Sequence, residues 1–140
     1  MIRVLFLCIH NSARSQMAEA YLKKFGGEKF HVESAGLEAG TLNQYAVAAM
    51  KEDGIDISGN STSDVFEFYK EGRVYDYVVT VCDKEASDRC PVFPGMHKKI
   101  NWSFNDPSGF KGTDEEKLKL TVAVRNQIKN AVLDLVNDLQ

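Results

Sequence analysis

Residues 4–16 read Val4-Leu5-Phe6-Leu7-Cys8-Ile9-His10-Asn11-Ser12-Ala13-Arg14-Ser15-Gln16, and the organisation of the whole chain follows from them. Apolar residues run into Cys8, and a helical pattern begins near Arg14. The pattern predicts a buried strand that delivers Cys8 to a short turn, which ends on a helix N-terminus. Such a turn directs backbone N–H groups inward and can bind a tetrahedral oxyanion.

Side chains of this turn suit the same chemistry. The forked guanidinium of Arg14 can clamp two anion oxygens, and the same field favours the thiolate form of Cys8, a nucleophile. Ser15 can donate its hydroxyl to that thiolate, and Asn11 tolerates a left-handed backbone. The predicted oxyanion-binding residues are Ile9, His10, Asn11, Ser12, Ala13 and Arg14. The alternative is that Cys8 is a small buried hydrophobe and Arg14 is solvated.

Size and composition suit one soluble domain spanning residues 1–140. The chain is 44% hydrophobic with a net charge of −3, and the absence of a basic cluster argues against nucleic acid as a partner. No apolar run approaches the roughly 20 residues of a membrane helix, and residues 1–3 lead directly into a strand, which leaves no room for a signal peptide. We therefore expect a cytoplasmic monomer in which the 3 cysteines form no structural disulfide framework.

Hydrophobic periodicity predicts the remaining elements. Strands are expected at residues 3–7, 30–34, 76–81 and 98–102, and helices at 14–25, 42–52, 65–69 and 114–139. This order predicts an α/β fold with a doubly wound, four-stranded parallel sheet and helices on both faces. Ligands of such sheets bind beyond the carboxyl ends of the strands, where Cys8, Cys82 and the loop after the fourth strand should meet.

Cys82 and Cys90 frame the polar stretch Cys82-Asp83-Lys84-Glu85-Ala86-Ser87-Asp88-Arg89-Cys90. This separation exceeds the two to four residues, roughly, of a zinc half-site, which leaves inert buried thiols or redox-active thiols as the main alternatives. The charged residues between them favour a solvated, mobile segment. If it is helical, the two cysteines lie ~12 Å apart, whereas a disulfide requires Cα atoms within ~7 Å. Bridging them would therefore require local unwinding.

Asp106 is the candidate general acid. It lies in the turn sequence Asn105-Asp106-Pro107-Ser108-Gly109, where Pro107 keeps it out of the helical region. It could protonate an oxygen that leaves the central atom of a bound anion. Locally, an Asx-turn role explains the same residue.

The loop from Cys8 to Gln16 resembles that of the low-molecular-weight protein tyrosine phosphatases. Most of the chain is similar to the thioredoxin-coupled arsenate reductases, which share that fold. The resemblance implies that Cys8 attacks arsenate, that Asp106 assists loss of an oxygen, and that Cys82 and then Cys90 resolve the intermediate by a disulfide relay. Arsenite is the implied product and thioredoxin the implied reductant, with no tightly bound cofactor and with phosphate or sulfate as competing anions.

The same resemblance leaves the binding of potassium open. Some of these reductases bind a potassium ion, and the matching positions here are Asn11, Glu19, Ser34, Thr62 and Asp64. Ser61 stands where potassium-responsive members often have histidine.

A phosphatase acting on phosphotyrosine or small phosphoesters is the alternative function, and a non-catalytic oxyanion-binding or redox-sensing module is a third. Phosphatases of this fold usually carry paired aromatic residues after the Asp-Pro pair and a second cysteine in the loop. This chain has Ser108-Gly109-Phe110 and Ala13 at those places.

Overall fold

The computed structural model describes residues 1–81 and 88–139 of the chain. Within these residues the strands are β1 (Ile2–Cys8), β2 (Phe30–Gly36), β3 (Tyr77–Thr80) and β4 (Lys98–Asn101). The helices of the described ranges are α1 (Arg14–Gly26), α2 (Gln44–Glu52), α3 (Val65–Lys70) and α4 (Asp114–Leu139), with 3-10 turns at Gly27–Lys29 and Pro107–Gly109. None of these helices is both long enough and apolar enough to cross a membrane.

The strands form one parallel sheet in the order β2-β1-β3-β4, which confirms the predicted doubly wound arrangement. The chain leaves β1 first towards β2 on one side and later returns to β3 on the other side. The carboxyl end of β1 therefore lies at the topological switch point of the sheet, the position where ligands of such folds bind. Cys8 is the last residue of β1.

Both faces of β1 are covered by other elements. Successive residues of a strand point to opposite faces, and Leu5 and Phe6 are both 0% exposed. Strands that are buried on both faces carry continuous apolar runs, which is why residues 4–7 predicted a central strand. One hydrophobic core includes β1 and the buried faces of α1 and α4, and this core holds the end of β1 in a fixed position.

Two predicted boundaries lie two residues from the observed ones, and hydrogen bonding explains both differences; the other boundaries agree to within one residue. Strand β2 does not end at residue 34 but continues to Gly36, because Ala35 and Gly36 pair with Leu7 and Cys8. Helix α2 begins at Gln44, two residues later than expected. The side chain of Asn43 caps it by accepting the N–H groups of Tyr45 and Ala46 at 2.9 and 3.0 Å.

The bounds of α4 match the prediction, and its buried face includes a charged residue. Leu118, Val122 and Leu139 are only half-buried, whereas Arg125 is 8% exposed. The Arg125 guanidinium donates to the Ala49 carbonyl at 2.8 Å. This bond satisfies a carbonyl near the end of α2, where carbonyls have no partner within the helix, and it joins α4 to α2.

Candidate active site

Cys8 lies at the end of β1 with its sulfur enclosed by hydrogen-bonding groups. The residue is 2% exposed. Its Sγ lies 2.8 Å from the Ser15 hydroxyl and accepts the Asn11 backbone N–H at 3.1 Å. Both contacts can stabilise a negative charge on the sulfur. The predicted partnership of Cys8 and Ser15 is therefore present in the folded chain.

Asn11 adopts the left-handed backbone conformation that its residue type suggested. Its φ is 55°, the one positive value among the described non-glycine residues. The buried side-chain amide donates to Ser15 Oγ at 2.8 Å and to Ser34 Oγ at 3.0 Å, and its oxygen accepts the Ser63 N–H at 2.9 Å. These bonds hold the tight turn that directs the Asn11 N–H to the sulfur of Cys8.

The backbone of residues 37–43 holds the carbonyl groups of the loop on its outer side. The backbone N–H groups of Leu37, Glu38, Gly40 and Asn43 donate to the carbonyls of Cys8, Ile9, His10 and Ser12, respectively, at 2.8–3.1 Å. In a planar trans peptide the following N–H points opposite to its carbonyl. The N–H groups of residues 9, 10, 11 and 13 therefore point into the loop, and the Asn11 contact with Cys8 Sγ confirms this direction for one of them.

Helix α1 adds its first turn to this concave arrangement. Its N-cap residue is Ala13, and no side chain caps the helix. The first backbone N–H groups of a helix lack partners within the helix, and together with the loop N–H groups they form an anion site. The loop and the start of α1 can thus surround a tetrahedral oxyanion in contact with the sulfur of Cys8.

Arg14 lies under the rim of this site and meets the loop after β4. Its side chain is 8% exposed. One terminal nitrogen donates to the Phe104 carbonyl at 3.1 Å, and the other lies 3.4 Å from Asp106 Oδ2. A buried guanidinium fixed in this way is pre-oriented to bind an anion.

Asp106 forms the Asx-turn that the sequence suggested, and its role as a general acid stays a prediction. Its Oδ1 accepts the Ser108 N–H at 2.9 Å and so begins the 3-10 turn Pro107–Gly109. Its Oδ2 faces Arg14, and 40% of the side chain is exposed. The Asx-turn therefore positions a carboxyl group at the edge of the oxyanion site, within reach of a proton from solvent.

The thiol of Cys90 is not as solvated as its neighbours led us to expect. Asp88 and Arg89 are exposed, but Cys90 is half-buried and packs against the core, and its sulfur lies 3.3 Å from the Pro91 carbonyl. Burial raises the pKa of the Cys90 thiol from 9.0 to about 11, although the positive charge of Lys99 opposes the shift. Cys82 lies outside the described residues, so its predicted position stays a prediction.

We expect alkylation of Cys90 by iodoacetamide to accelerate about tenfold per pH unit from pH 8 to 10 without reaching a plateau. Only the thiolate reacts, and burial holds the pKa of the folded thiol near 11. Peptide mapping by mass spectrometry after timed quenching measures this rate. In urea the profile should level off near pH 9.

The raised pKa of the Cys90 thiol also makes the stability of the fold depend on pH. The unfolded chain loses the Cys90 proton at lower pH, so the contribution of this thiol to stability is complete below pH 9 and declines as the pH rises towards 11. A plateau in the native profile below pH 9 would contradict the burial of this sulfur.

The five predicted potassium ligands do not form one cation site in the described structure. Asn11, Ser34 and Glu19 are joined by hydrogen bonds, but the other oxygen of Glu19 pairs with Lys23 at 2.5 Å. The Thr62 hydroxyl donates to the Gly40 carbonyl at 2.7 Å, and Asp64 caps α3 through the Phe66 N–H. A lysine ammonium already neutralises the carboxylate, so this donor set does not fit potassium and no chemical step is derived from that ion.

Sequence reasoning missed two parts of the site. Residues 37–43 hold the loop through their backbone, and such contacts leave no signature in side-chain chemistry. Gln16, 2% exposed at the start of α1, binds the loop through its amide. One signal in the sequence could have indicated this role. Gln16 is a polar residue that directly follows the loop, on a helix whose next residues are apolar.

Comparison with known proteins agrees with this geometry. Residues 3–140 match the family described as low molecular weight phosphotyrosine protein phosphatase. An arsenate reductase of Bacillus subtilis is 47% identical over 127 residues, which cover 91% of this chain and 89% of the relative.

Solved structures show the same fold over the full chain. An arsenate reductase in a phosphate-binding state has a TM-score of 0.81 at 33% identity, with 100% of both chains covered. A thioredoxin-dependent arsenate reductase of Corynebacterium glutamicum has a TM-score of 0.69 at 25% identity. The match covers 100% of this chain and 64% of the Corynebacterium chain.

Proposed function

We propose that this chain, which belongs to the low molecular weight phosphotyrosine protein phosphatase family, reduces arsenate to arsenite. The observation that carries the proposal is the position of Cys8 Sγ within a loop whose carbonyls are bound on the outside, with Arg14 and Asp106 at the rim. Such a site accepts a tetrahedral oxyanion in contact with a nucleophilic sulfur. The curated relatives support arsenate as the substrate, and phosphate or sulfate would compete because they share its shape and charge.

The first step is attack of the Cys8 thiolate on arsenic. A sulfur–arsenic bond forms, and an arsenic–oxygen bond breaks as a hydroxide leaves. Ser15 and the Asn11 N–H hold the thiolate before attack. The loop N–H groups and the Arg14 fork then stabilise the oxygens on which negative charge increases.

Asp106 protonates the departing oxygen, which leaves as water. In the described structure its carboxylate pairs with Arg14 at 3.4 Å. An arsenate that engages the Arg14 fork weakens this pair and brings a second negative charge near Asp106.

The second step transfers two electrons to arsenic. The thiolate of Cys82 attacks Cys8 Sγ, a disulfide forms, and the electron pair of the sulfur–arsenic bond reduces As(V) to As(III), which leaves as arsenite. Cys90 then attacks Cys82, which frees Cys8 and leaves a Cys82–Cys90 disulfide. Because burial keeps the Cys90 thiol protonated, this attack requires the sulfur to leave its present contact with the core.

An external dithiol must then reduce the Cys82–Cys90 disulfide by exchange. The thioredoxin dependence of the Corynebacterium relative supports thioredoxin as that donor. The net reaction converts arsenate and one dithiol into arsenite, one disulfide and water.

The test is arsenate-dependent NADPH oxidation in the presence of thioredoxin and thioredoxin reductase. We expect wild-type protein to form one arsenite per NADPH consumed, and Cys82→Ser and Cys90→Ser to lose repeated turnover. In a single-turnover assay without thioredoxin, Cys90→Ser should still release about one arsenite per protein, because only the first exchange is needed. Arsenite is quantified by chromatography with mass-spectrometric detection.

Hydrolysis of p-nitrophenyl phosphate is the matched control. This reaction needs Cys8, Arg14 and Asp106 but not the other cysteines, so both serine variants should retain whatever rate the wild type has. Full arsenate turnover in either variant would refute the relay. Hydrolysis without arsenate turnover would assign the chain to the phosphatases, and inactivity in both assays would leave an oxyanion-binding module.

A further inference from the structure

One carbonyl of the oxyanion loop is held differently from the others. Backbone N–H groups of residues 37–43 hold those of Cys8, Ile9, His10 and Ser12. The remaining carbonyl, that of Asn11, accepts a side-chain donor, Gln16 Nε2, at 3.1 Å. The peptide between Asn11 and Ser12 thus depends on a single side chain for its orientation.

Four hydrogen-bond contacts hold the Gln16 side chain in this position. It is 2% exposed, and its Nε2 also lies 3.0 Å from the Ser61 carbonyl and 3.2 Å from Asn11 Oδ1. Its Oε1 accepts the Asn60 side-chain amide at 3.0 Å. An amide nitrogen has two hydrogens, so one bonds Ser61 and the other is shared by the two oxygens of Asn11.

We propose that Gln16 is a positioning residue of the oxyanion site, an inference that rests on the proposed function. Its amide holds the Asn11 carbonyl on the outer side of the loop. Because the peptide is planar and trans, the Ser12 N–H then points inward and becomes one of the donors to the bound anion. Without Gln16 the 11–12 peptide can rotate, which removes a donor and turns a carbonyl dipole towards the anion.

The neighbouring peptide is held independently. The N–H of Asn11, which donates to Cys8 Sγ at 3.1 Å, belongs to the peptide whose carbonyl is bound by the Gly40 N–H. Loss of the Gln16 amide should therefore weaken anion binding while leaving the environment of the Cys8 sulfur intact. A purely structural role would change both properties together.

The test variant is Gln16→Met, which keeps the length of the side chain without its hydrogen bonds. We expect its Kd for inorganic phosphate, measured by calorimetry, to rise about 10- to 100-fold, the effect of one hydrogen bond to a charged group. The pH midpoint of Cys8 alkylation by iodoacetamide should stay within about 0.3 unit of wild type. With arsenate, KM should rise more than kcat falls.

Asn60→Ala is the matched control, because it removes the contact at Gln16 Oε1 but leaves the bond from Nε2 to Asn11. Its phosphate affinity should remain within about threefold of wild type, a shift smaller than the loss of one such bond. Equal losses in the two variants would overturn the proposal. So would unchanged phosphate affinity in Gln16→Met, or a phosphate loss accompanied by a shifted alkylation midpoint.

A measurement on the wild-type protein covers the case in which Gln16→Met does not fold. On titration with phosphate, the Ser12 amide proton should move downfield in the NMR spectrum, as a new hydrogen bond requires. A Ser12 resonance that is unaffected while those of Ile9 and His10 move would overturn the proposal. Phosphate binding is measured without arsenate, so this result stands apart from failure of the wild type to reduce arsenate.

Discussion

Replacement of Cys8 by serine is expected to abolish arsenate reduction and hydrolysis of p-nitrophenyl phosphate, each by more than about 10⁴-fold. A serine hydroxyl is a weak nucleophile unless a base takes its proton. The groups around this position, the Ser15 hydroxyl and the Asn11 N–H, stabilise an anion but do not provide such a base. Steady-state rates with both substrates measure the loss.

Anion binding should survive the same substitution. The loop N–H groups and Arg14 are unchanged, so the Kd for phosphate should remain within about fivefold of wild type. Cys90→Ser is the matched cysteine control, since it should keep p-nitrophenyl phosphate hydrolysis. Appreciable activity of Cys8→Ser in either assay would show that the nucleophile lies elsewhere.

Replacement of Gly36 by alanine is expected to displace the oxyanion loop from strand β2. A Cβ at this position would lie 2.7 Å from the backbone atoms Asn11 N, His10 C and Glu38 O. Backbone cannot move as a flexible side chain does, so the strand and the loop must separate. We expect both activities to fall about 100-fold or more, since loss of a single oxyanion donor costs 10²–10³-fold. Overpacking of this kind should also lower stability by about 1–3 kcal/mol.

Gly59→Ala is the matched control for this prediction. Its Cβ would have no neighbour within 4 Å, so the variant should keep the activity and stability of the wild type. Urea denaturation and steady-state kinetics compare the two variants. Wild-type kinetics in Gly36→Ala would mean that the loop tolerates displacement, which contradicts the role assigned here to its backbone N–H groups.

Much of the architecture could be predicted because it follows from local patterns. The apolar run at residues 4–7 predicted the central strand, and period-3.6 spacing predicted both ends of α4. The loop was recognisable because Cys8, Arg14 and Ser15 carry the chemistry in their own side chains. The left-handed conformation of Asn11 followed from its residue type.

The remaining features depend on distant main-chain partners. The extension of β2 to Gly36 requires the register with β1, which no local pattern specifies. The burial of Arg125 depends on the Ala49 carbonyl of another helix, and periodicity alone placed apolar residues on that face. The function of Gln16 arises from a carbonyl whose direction is set by the fold, so only coordinates reveal it.

The partial burial of the Cys90 sulfur affects how fast hydrogen peroxide in the cell can oxidise this thiol. Peroxide oxidises the thiolate, and protonated thiols react slowly. With the pKa of this thiol near 11, almost all molecules carry it protonated at neutral pH, in a form that resists conversion to sulfenic acid. The Cys90 sulfur can therefore stay reduced through an oxidative burst, a protection that does not extend to Cys8, whose sulfur is held by hydrogen-bond donors.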